Sequence, residues 1–285
     1  MKVAVLGCRG LVGRAATEAL QAAGAHVVAL DREALDITRP DQIRQNLPAV
    51  QWCLNCAGYS FVEAAEQRRV EALAVNAEGA RAVAASCARR GIRLLHMSTY
   101  LVFDGRKHRP YSEVDEPAPL NLFGQSKLVG EKNVRAEGGN FLIVRAAPLY
   151  GPQGRGMIAD WLEALRAGRP VLRAPSDETV APTYVRHLAE ALVRLIARNS
   201  EGVVHVAADG RCTWAEFAEA MARKLNPATV VESVPAGELS GRVRHPPFSV
   251  LDTRRLAQWT GHIMPPWQQG LADFIADAKL ARPMP

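Results

Sequence analysis

Short apolar runs alternate with amphipathic stretches through the first half of the chain. Five runs have the length and apolar content of strands that are covered on both faces of a sheet, at Lys2–Leu6, His26–Leu30, Trp52–Cys56, Arg93–Ser98 and Asn140–Arg145. The stretches between them carry apolar residues at three- and four-residue spacing and predict helices, at Gly10–Ala23, Arg39–Asn46, Val62–Glu66, Val70–Arg90 and Asn121–Glu137. Strands that alternate with helices predict an α/β fold with a doubly wound parallel sheet.

The rhythm loosens after Tyr150-Gly151-Pro152, which marks a boundary near residue 151. The second half predicts helices and one strand, at Ile158–Ala167, Tyr184–Arg198, Val203–Ala207 (the strand) and Trp214–Lys224, followed by an irregular loop at Gly237–Phe248. We therefore expect a first domain over residues 1–150 and a smaller α/β domain over 151–285, some of whose elements return to the first domain.

Composition narrows the class of protein. The 285 residues are 48% hydrophobic and 22% charged, and no apolar run is long enough to span a bilayer. The N-terminus lacks the pattern of a signal peptide, so we expect a cytoplasmic protein without a membrane partner. The net charge of +6 comes from arginines scattered on predicted helix surfaces, which favours solvated faces or an anionic small substrate over nucleic acid.

The five cysteines do not predict a disulfide framework or a metal site. Cys53 and Cys56 form a C-x-x-C, but both lie on a predicted buried strand. Residues three apart on a strand point to opposite faces, so the two thiols cannot share a ligand. No second pair of cysteines or histidines at zinc spacing is present in the sequence.

A glycine-rich loop joins the first strand to the first helix. Its sequence is Gly7-Cys8-Arg9-Gly10-Leu11-Val12-Gly13, in which glycines permit a tight turn and the approach of backbone N–H groups to a pyrophosphate. This context predicts a dinucleotide-binding domain of the Rossmann type. Asp31 after the second strand favours a free adenosine ribose, whereas Arg32 suits a 2′-phosphate, so NADH and NADPH both stay open.

Further candidates follow the other strands. Asp36-Ile37 lies on the loop after the second strand, where it either approaches adenine or caps the next helix. Cys56-Ala57-Gly58 and Ser98-Thr99 end the third and fourth strands, at the sheet edge where such folds bind ligands. Asn76 is a polar residue on an apolar helix, and we expect it to tie down backbone rather than to touch a ligand.

Two longer stretches resemble a known family. Ser98-Thr99-Tyr100-Leu101-Val102-Phe103-Asp104-Gly105 is similar to Ser-Thr-Asp-Tyr-Val-Phe-Asp-Gly, and Phe123-Gly124-Gln125-Ser126-Lys127 follows it at the start of a predicted helix. These stretches are hallmarks of the extended short-chain dehydrogenases, and within them of the dTDP-4-dehydrorhamnose reductase (RmlD-like, sugar-nucleotide-binding) family. The resemblance continues at Ala181-Pro182-Thr183 and Ser249-Val250-Leu251-Asp252-Thr253, and so covers nearly the whole chain.

The resemblance implies hydride transfer from NADPH or NADH to a sugar carbonyl. A tyrosine then protonates the alkoxide, a lysine four residues later holds the nicotinamide ribose, and a threonine orients the carbonyl. Thr99 and Lys127 are present, but Phe123 stands at the tyrosine position and has no proton to give. A positioned general acid contributes about 10²–10⁴ in rate, so we expect impaired or altered proton delivery.

By position, the resemblance also assigns binding residues. The cofactor set is Gly7, Arg9, Gly10, Leu11, Val12, Gly13, Asp31, Arg32, Asp36, Ile37, Cys56, Ala57, Gly58, Ser98, Thr99 and Lys127. The substrate set, for a nucleotide sugar bound largely by the second domain, is Tyr59, Val102, Phe103, Arg155 and Arg244.

With Phe123 at the tyrosine position, another side chain would have to donate the proton. Tyr59 is the preferred candidate, while Glu63 and Tyr111 are weaker ones. Tyr100 adjoins Thr99, but neighbouring strand residues face opposite sides, so its hydroxyl points away from the site unless the strand has ended. The alternative is a catalytically inactive cofactor-binding pseudoenzyme with a regulatory role, similar to the beta subunit of methionine adenosyltransferase. A homodimer or a protein partner is compatible with either reading.

Overall fold

The computed structural model describes residues 1–280. Its strands are β1 (Lys2–Leu6), β2 (His26–Leu30), β3 (Trp52–Asn55), β4 (Arg93–Thr99), β5 (Phe141–Ala146), β6 (Leu149–Tyr150), β7 (Val171–Pro175), β8 (Thr179–Val180), β9 (Thr183–Tyr184), β10 (Gly202–Val206), β11 (Cys212–Thr213) and β12 (Val230–Val234). Its α-helices are α1 (Leu11–Ala22), α2 (Pro40–Asn46), α3 (Val62–Gln67), α4 (Arg69–Leu73), α5 (Ala80–Arg89), α6 (Leu122–Ala136), α7 (Met157–Arg166), α8 (Val185–Ala197), α9 (Trp214–Leu225), α10 (Arg254–Thr260) and α11 (Trp267–Leu280).

Six parallel strands form the central sheet, in the order β10-β5-β4-β3-β1-β2. Their side chains are largely buried, and separate apolar clusters lie on the two faces of the sheet. The predicted α/β fold with a doubly wound parallel sheet is confirmed, because runs that are apolar on both faces need helices on both sides. The reversal of strand order between β1 and β3 opens the crevice in which such sheets bind ligands.

The second half of the chain contributes to this sheet and also builds a separate layer. Strand β10 pairs with β5 in parallel, with His205 opposite Arg145. The remaining strands form two-stranded pairs, β7 with β12, β8 with β11 and β6 with β9. Trp161 and Trp214 are buried between α7 and α9, in an apolar cluster of their own. No helix among residues 1–280 is long and apolar enough to cross a membrane.

The helix predicted at Val70–Arg90 is interrupted in the structure. Between α4 and α5, residues Ala74–Gly79 form a π-helical turn. Such turns widen a helix locally and are frequent at functional sites. This one carries Asn76, whose side-chain amide donates to the Tyr59 carbonyl and to Ser126 Oγ, while its oxygen accepts from the Tyr59 N–H. Asn76 therefore ties down backbone, as predicted.

Candidate active site

The glycine loop has the geometry of a phosphate cradle. Gly7 adopts a φ of +71°, and a Cβ on Gly13 would lie 2.2 Å from the Gly7 carbonyl oxygen. Only glycine allows both the turn and this close packing of α1 on the loop. Gly10 precedes α1, whose first N–H groups have no side-chain cap. These free donors and the positive end of the helix form a site for an anion.

Charged side chains surround the end of β2. Arg9 of the glycine loop pairs with Asp31 at 2.6 Å, and Arg32 pairs with Asp36 at 3.0 Å. A hydrogen bond from the Ala34 N–H, together with the charge of Arg9, lowers the pKa of Asp31. Ile37, by contrast, is buried in the core against Gly79. Its side chain supports the loop from inside and does not line the cleft.

The end of β3 lies against the glycine loop. A Cβ on Gly7 would stand 2.7 Å from the Ala57 nitrogen, so the two segments are in backbone contact. Burial raises the pKa of the Cys56 thiol to about 12, which leaves it unreactive at neutral pH. A Cβ on Gly58 would be 4.0 Å from the Lys127 Nζ. The segment Cys56-Ala57-Gly58 therefore contacts the glycine loop at one end and lies close to Lys127 at the other.

Lys127 is a buried lysine on α6. Its Nζ donates to the Met97 carbonyl at the end of β4. Burial lowers the pKa of Lys127 to about 8, and the nearby Glu131 carboxylate opposes that shift. Ser98 donates its hydroxyl to Glu131, so the Ser98 side chain is engaged below the site.

Strand β4 ends at Thr99. The Thr99 hydroxyl oxygen accepts from the Leu101 N–H and caps a 3-10 turn over Tyr100–Val102. A hydroxyl that accepts one bond keeps its own proton for donation. Because the strand ends at Thr99, the exception named for Tyr100 applies, and strand alternation does not turn its side chain away from the site. Val102 and Phe103 are fully buried, and Phe103 stacks on Tyr111 at 4.3 Å, so both side chains face the core.

Phe123 lies in the first turn of α6. Asn121 caps the helix by accepting from the Gly124 N–H at 2.8 Å, and Glu66 accepts from the Leu122 N–H at 2.7 Å. The Phe123 ring is partly buried, between the apolar cluster that includes Tyr100 and the one that includes Leu122. Lys127 follows one helical turn later, so the two residues share a face of the helix. The ring thus fills the tyrosine position without a polar group.

Tyr59 is half-buried beside Phe123, since both rings pack against the cluster of Ala65, Ala72 and Leu122. The Tyr59 ring meets Phe61 edge-on, with centroids 6.1 Å apart, and the Arg155 guanidinium lies 5.7 Å above the Phe61 ring. These side chains form an aromatic and cationic lip over the end of β3.

A polar cluster of Glu63, Glu178, Arg242 and His245 faces this lip. Arg242 pairs with Glu178 at 2.8 Å, and His245 lies 3.8 Å from Glu63. The neighbouring His245 lowers the pKa of Glu63. Arg244, which the sequence singled out, is exposed, and its carbonyl accepts from the Asn121 side chain at 3.1 Å. No sequence signal marks Glu178, which lies in a short polar turn before β8. Among the described residues, no cluster suited to a metal ion is present.

The glycine cradle, the acid after β2 and the Thr99–Lys127 pair define a dinucleotide-binding protein of the short-chain dehydrogenase class. The family model described as RmlD substrate binding domain matches residues 1–280, and the chain belongs to that family. The spore coat polysaccharide biosynthesis protein SpsK of Bacillus subtilis is 30% identical, over 98% of this chain and 99% of its own length. A dTDP-4-dehydrorhamnose reductase of Mycobacterium tuberculosis is 37% identical, over 73% of this chain and 70% of its own length.

The solved structures agree with the sequence relatives. The dTDP-4-dehydrorhamnose reductase of Bacillus anthracis, solved in complex with NADP, superposes with a TM-score of 0.92 at 30% identity. The match covers 97% of this chain and 99% of that protein. The predicted family and fold are therefore confirmed.

Proposed function

We propose that this protein is an NAD(P)H-dependent reductase of a nucleotide-linked 4-keto sugar, with a proton donor at a position other than residue 123. The observation that carries the proposal is the site around Thr99 and Lys127, which keeps a proton-bearing hydroxyl and a buried ammonium beside a dinucleotide cradle. Relatives named dTDP-4-dehydrorhamnose reductase support the choice of substrate class.

The residues present fit a nicotinamide dinucleotide. Gly7 and Gly13 allow the loop to pack against β3 and α1 without a Cβ in the way, and α1 offers N–H donors to a pyrophosphate. Asp31, Arg9 and Arg32 would meet the adenosine ribose, with Cys56-Ala57-Gly58 along the same edge. Either NADPH or NADH would supply hydride to the carbonyl carbon.

The substrate would lie between the end of β4 and the second half of the chain. Tyr59 and Arg155 form one wall, and the loop that carries Arg242 and Arg244 forms the other. Arginines suit the diphosphate of a nucleotide sugar because guanidinium groups pair with phosphate oxygens.

The chain's own groups would then divide the work. Thr99 donates a hydrogen bond to the carbonyl oxygen and orients the ketone. Lys127 holds the nicotinamide ribose and adds positive charge near the oxygen that becomes negative. Phe123 supplies the shape of the family's tyrosine but no proton.

The first experiment compares the wild type with Phe123→Tyr. Cofactor binding is measured by NAD(P)H fluorescence titration, and turnover by NAD(P)H oxidation with dTDP-4-dehydrorhamnose. We expect the wild type to turn over, and Phe123→Tyr to change its rate by less than about tenfold, because a donor is already present. A wild type that binds cofactor but shows no turnover would contradict the proposal.

Phe123 also favours a second candidate, a cofactor-binding subunit without turnover that regulates a partner protein. That role predicts a silent wild type and a Phe123→Tyr variant that gains activity. A homodimer is compatible with both roles. We propose the cytoplasm as the compartment, because the five cysteines are free thiols, which suits a reducing environment.

A further inference from the structure

The turn that carries Tyr100 is in direct contact with the start of α6. A Cβ on Gly124 would lie 2.1 Å from the Leu101 carbonyl oxygen, so the 3-10 turn touches the helix next to residue 123. Phe123 packs against the apolar cluster to which Tyr100 belongs. The ring at the tyrosine position and the ring of Tyr100 therefore pack in the same apolar cluster.

Three other tyrosines of the chain place their hydroxyls elsewhere in the fold. The Tyr111 hydroxyl donates to Asp104 at 2.7 Å, and Tyr184 donates to Asp277. Tyr150 is buried in the apolar core against Phe217 and Phe274. Of the five tyrosines, Tyr59 packs against the same small cluster as Phe123, and Tyr100 belongs to the larger cluster that Phe123 contacts.

Tyr100 is the one that departs from the family's hallmark. The family's Ser-Thr-Asp-Tyr has no phenol directly after the threonine, whereas this chain reads Ser98-Thr99-Tyr100. The family's tyrosine on this turn comes one residue later, where this chain has Leu101, so the phenol of the turn stands at residue 100 while residue 123 has none. Tyr59 lies farther out, on the lip with Phe61.

The surroundings of Tyr100 keep its proton in place. Its ring is 8% exposed, and the charges of Glu178, Glu63 and Arg242 act on it. Burial first, and then the Glu178 carboxylate, raise the pKa of Tyr100. Glu63 is not a competing acid, because the neighbouring His245 lowers its pKa and so favours the carboxylate.

We infer that Tyr100 is the catalytic proton donor that replaces the family's tyrosine; the inference rests on the proposed reductase function. Hydride from NAD(P)H forms the new C–H bond, and the carbonyl π electrons move to the oxygen. The Tyr100 O–H bond breaks as its proton passes to that oxygen. The product is an alcohol, the cofactor is oxidised to NAD(P)⁺, and the Tyr100 phenolate takes a proton from water.

The activity test compares Tyr100→Phe with the wild type on dTDP-4-dehydrorhamnose. We expect kcat to fall by about 10²–10⁴-fold, while KM changes by no more than about fivefold. Tyr184→Phe is the matched control, since it removes a phenol far from the cleft and should keep wild-type turnover. Adding Phe123→Tyr to Tyr100→Phe should restore turnover by returning a phenol to the family's position.

A binding experiment tests the contact between Tyr100 and the substrate without requiring turnover. In the absence of cofactor, Tyr100→Phe should weaken dTDP-4-dehydrorhamnose binding by about fivefold, as expected for one lost hydrogen bond, and leave dTDP binding unchanged. If the wild type turns over but Tyr100→Phe matches it, or if Tyr59→Phe alone abolishes turnover, the inference is wrong and the reductase function stands. A wild type without turnover overturns both.

Discussion

The phenylalanine at position 123 changes the surroundings of the neighbouring Lys127 side chain. In the family, the lysine works beside a tyrosine hydroxyl, whereas here the residue one turn earlier is an apolar ring. Its ammonium donates to the Met97 carbonyl and lies close to Cys56 and Gly58, in a site with little water. Burial is therefore the main influence on the pKa of Lys127, and keeping the ammonium charged in this site lowers the stability of the folded protein.

That cost predicts a pH-dependent stability. The pKa of Lys127 is lowered to about 8 in the folded protein, from an ordinary 10.5. Between these values the unfolded chain binds more protons, so this group makes the fold more stable as pH rises from about 8 to 10.5. The full effect is on the order of 3 kcal/mol. Thermal melts across this range should show a rising contribution in the wild type that Lys127→Met lacks; parallel curves would contradict the prediction.

At the scale of elements, α6 reaches the active site because two of its residues lack side chains. Gly124 contacts the turn after β4, and a Cβ on Gly130 would lie 2.1 Å from the Asn76 carbonyl oxygen in the π-helical turn. These contacts set the depth at which Phe123 and Lys127 enter the cleft. Helix α6 is thus positioned by backbone packing on both sides.

Gly130→Ala should therefore move α6 outward. We expect a loss of about 1–3 kcal/mol in the free energy of unfolding, because the added methyl group meets backbone that cannot give way. Cofactor affinity should fall as well, since Lys127 moves with the helix. Urea denaturation and fluorescence titration measure the two effects. Gly237→Ala is the control, because a Cβ there meets open space; equal behaviour of the two variants would refute the prediction.

The elements also show where sequence reasoning succeeds and fails. The strands and helices of the first half were predictable because apolar spacing repeats along the chain, and the glycine loop because its residue types serve backbone geometry. The π-helical turn was missed, since one extra residue in a turn hardly alters apolar spacing. The end of β4 depends on the Thr99 side chain binding the Leu101 N–H. The cluster of Glu63, Glu178, Arg242 and His245 joins segments distant in sequence, and no local pattern reports such contacts.

At the scale of the whole molecule, a buried ion pair connects the active-site helix to the sheet. Glu131 of α6 and Arg145 of β5 are 1% and 2% exposed. The Arg145 guanidinium donates to both carboxylate oxygens of Glu131, from Nε at 2.9 Å and from Nη2 at 2.7 Å. Glu131 also accepts from Ser98 on β4, and Arg145 lies opposite His205 of β10. Burial and the charge of Arg145 lower the pKa of His205 to about 3, so it stays neutral.

The Glu131–Arg145 ion pair thus connects elements from both halves of the chain. We expect the loss of one partner to lower the free energy of unfolding more than the loss of both. Glu131→Gln should cost about 3–5 kcal/mol of unfolding free energy, because it leaves the Arg145 charge buried without a counter-ion. The double variant Glu131→Gln with Arg145→Gln should recover much of that loss, since neither charge of the pair then remains in the core. Urea denaturation of the wild type, both single variants and the double variant gives the coupling energy. Additive losses would mean that the pair acts as two independent packing residues, and that the link between β4, α6, β5 and β10 does not depend on charge.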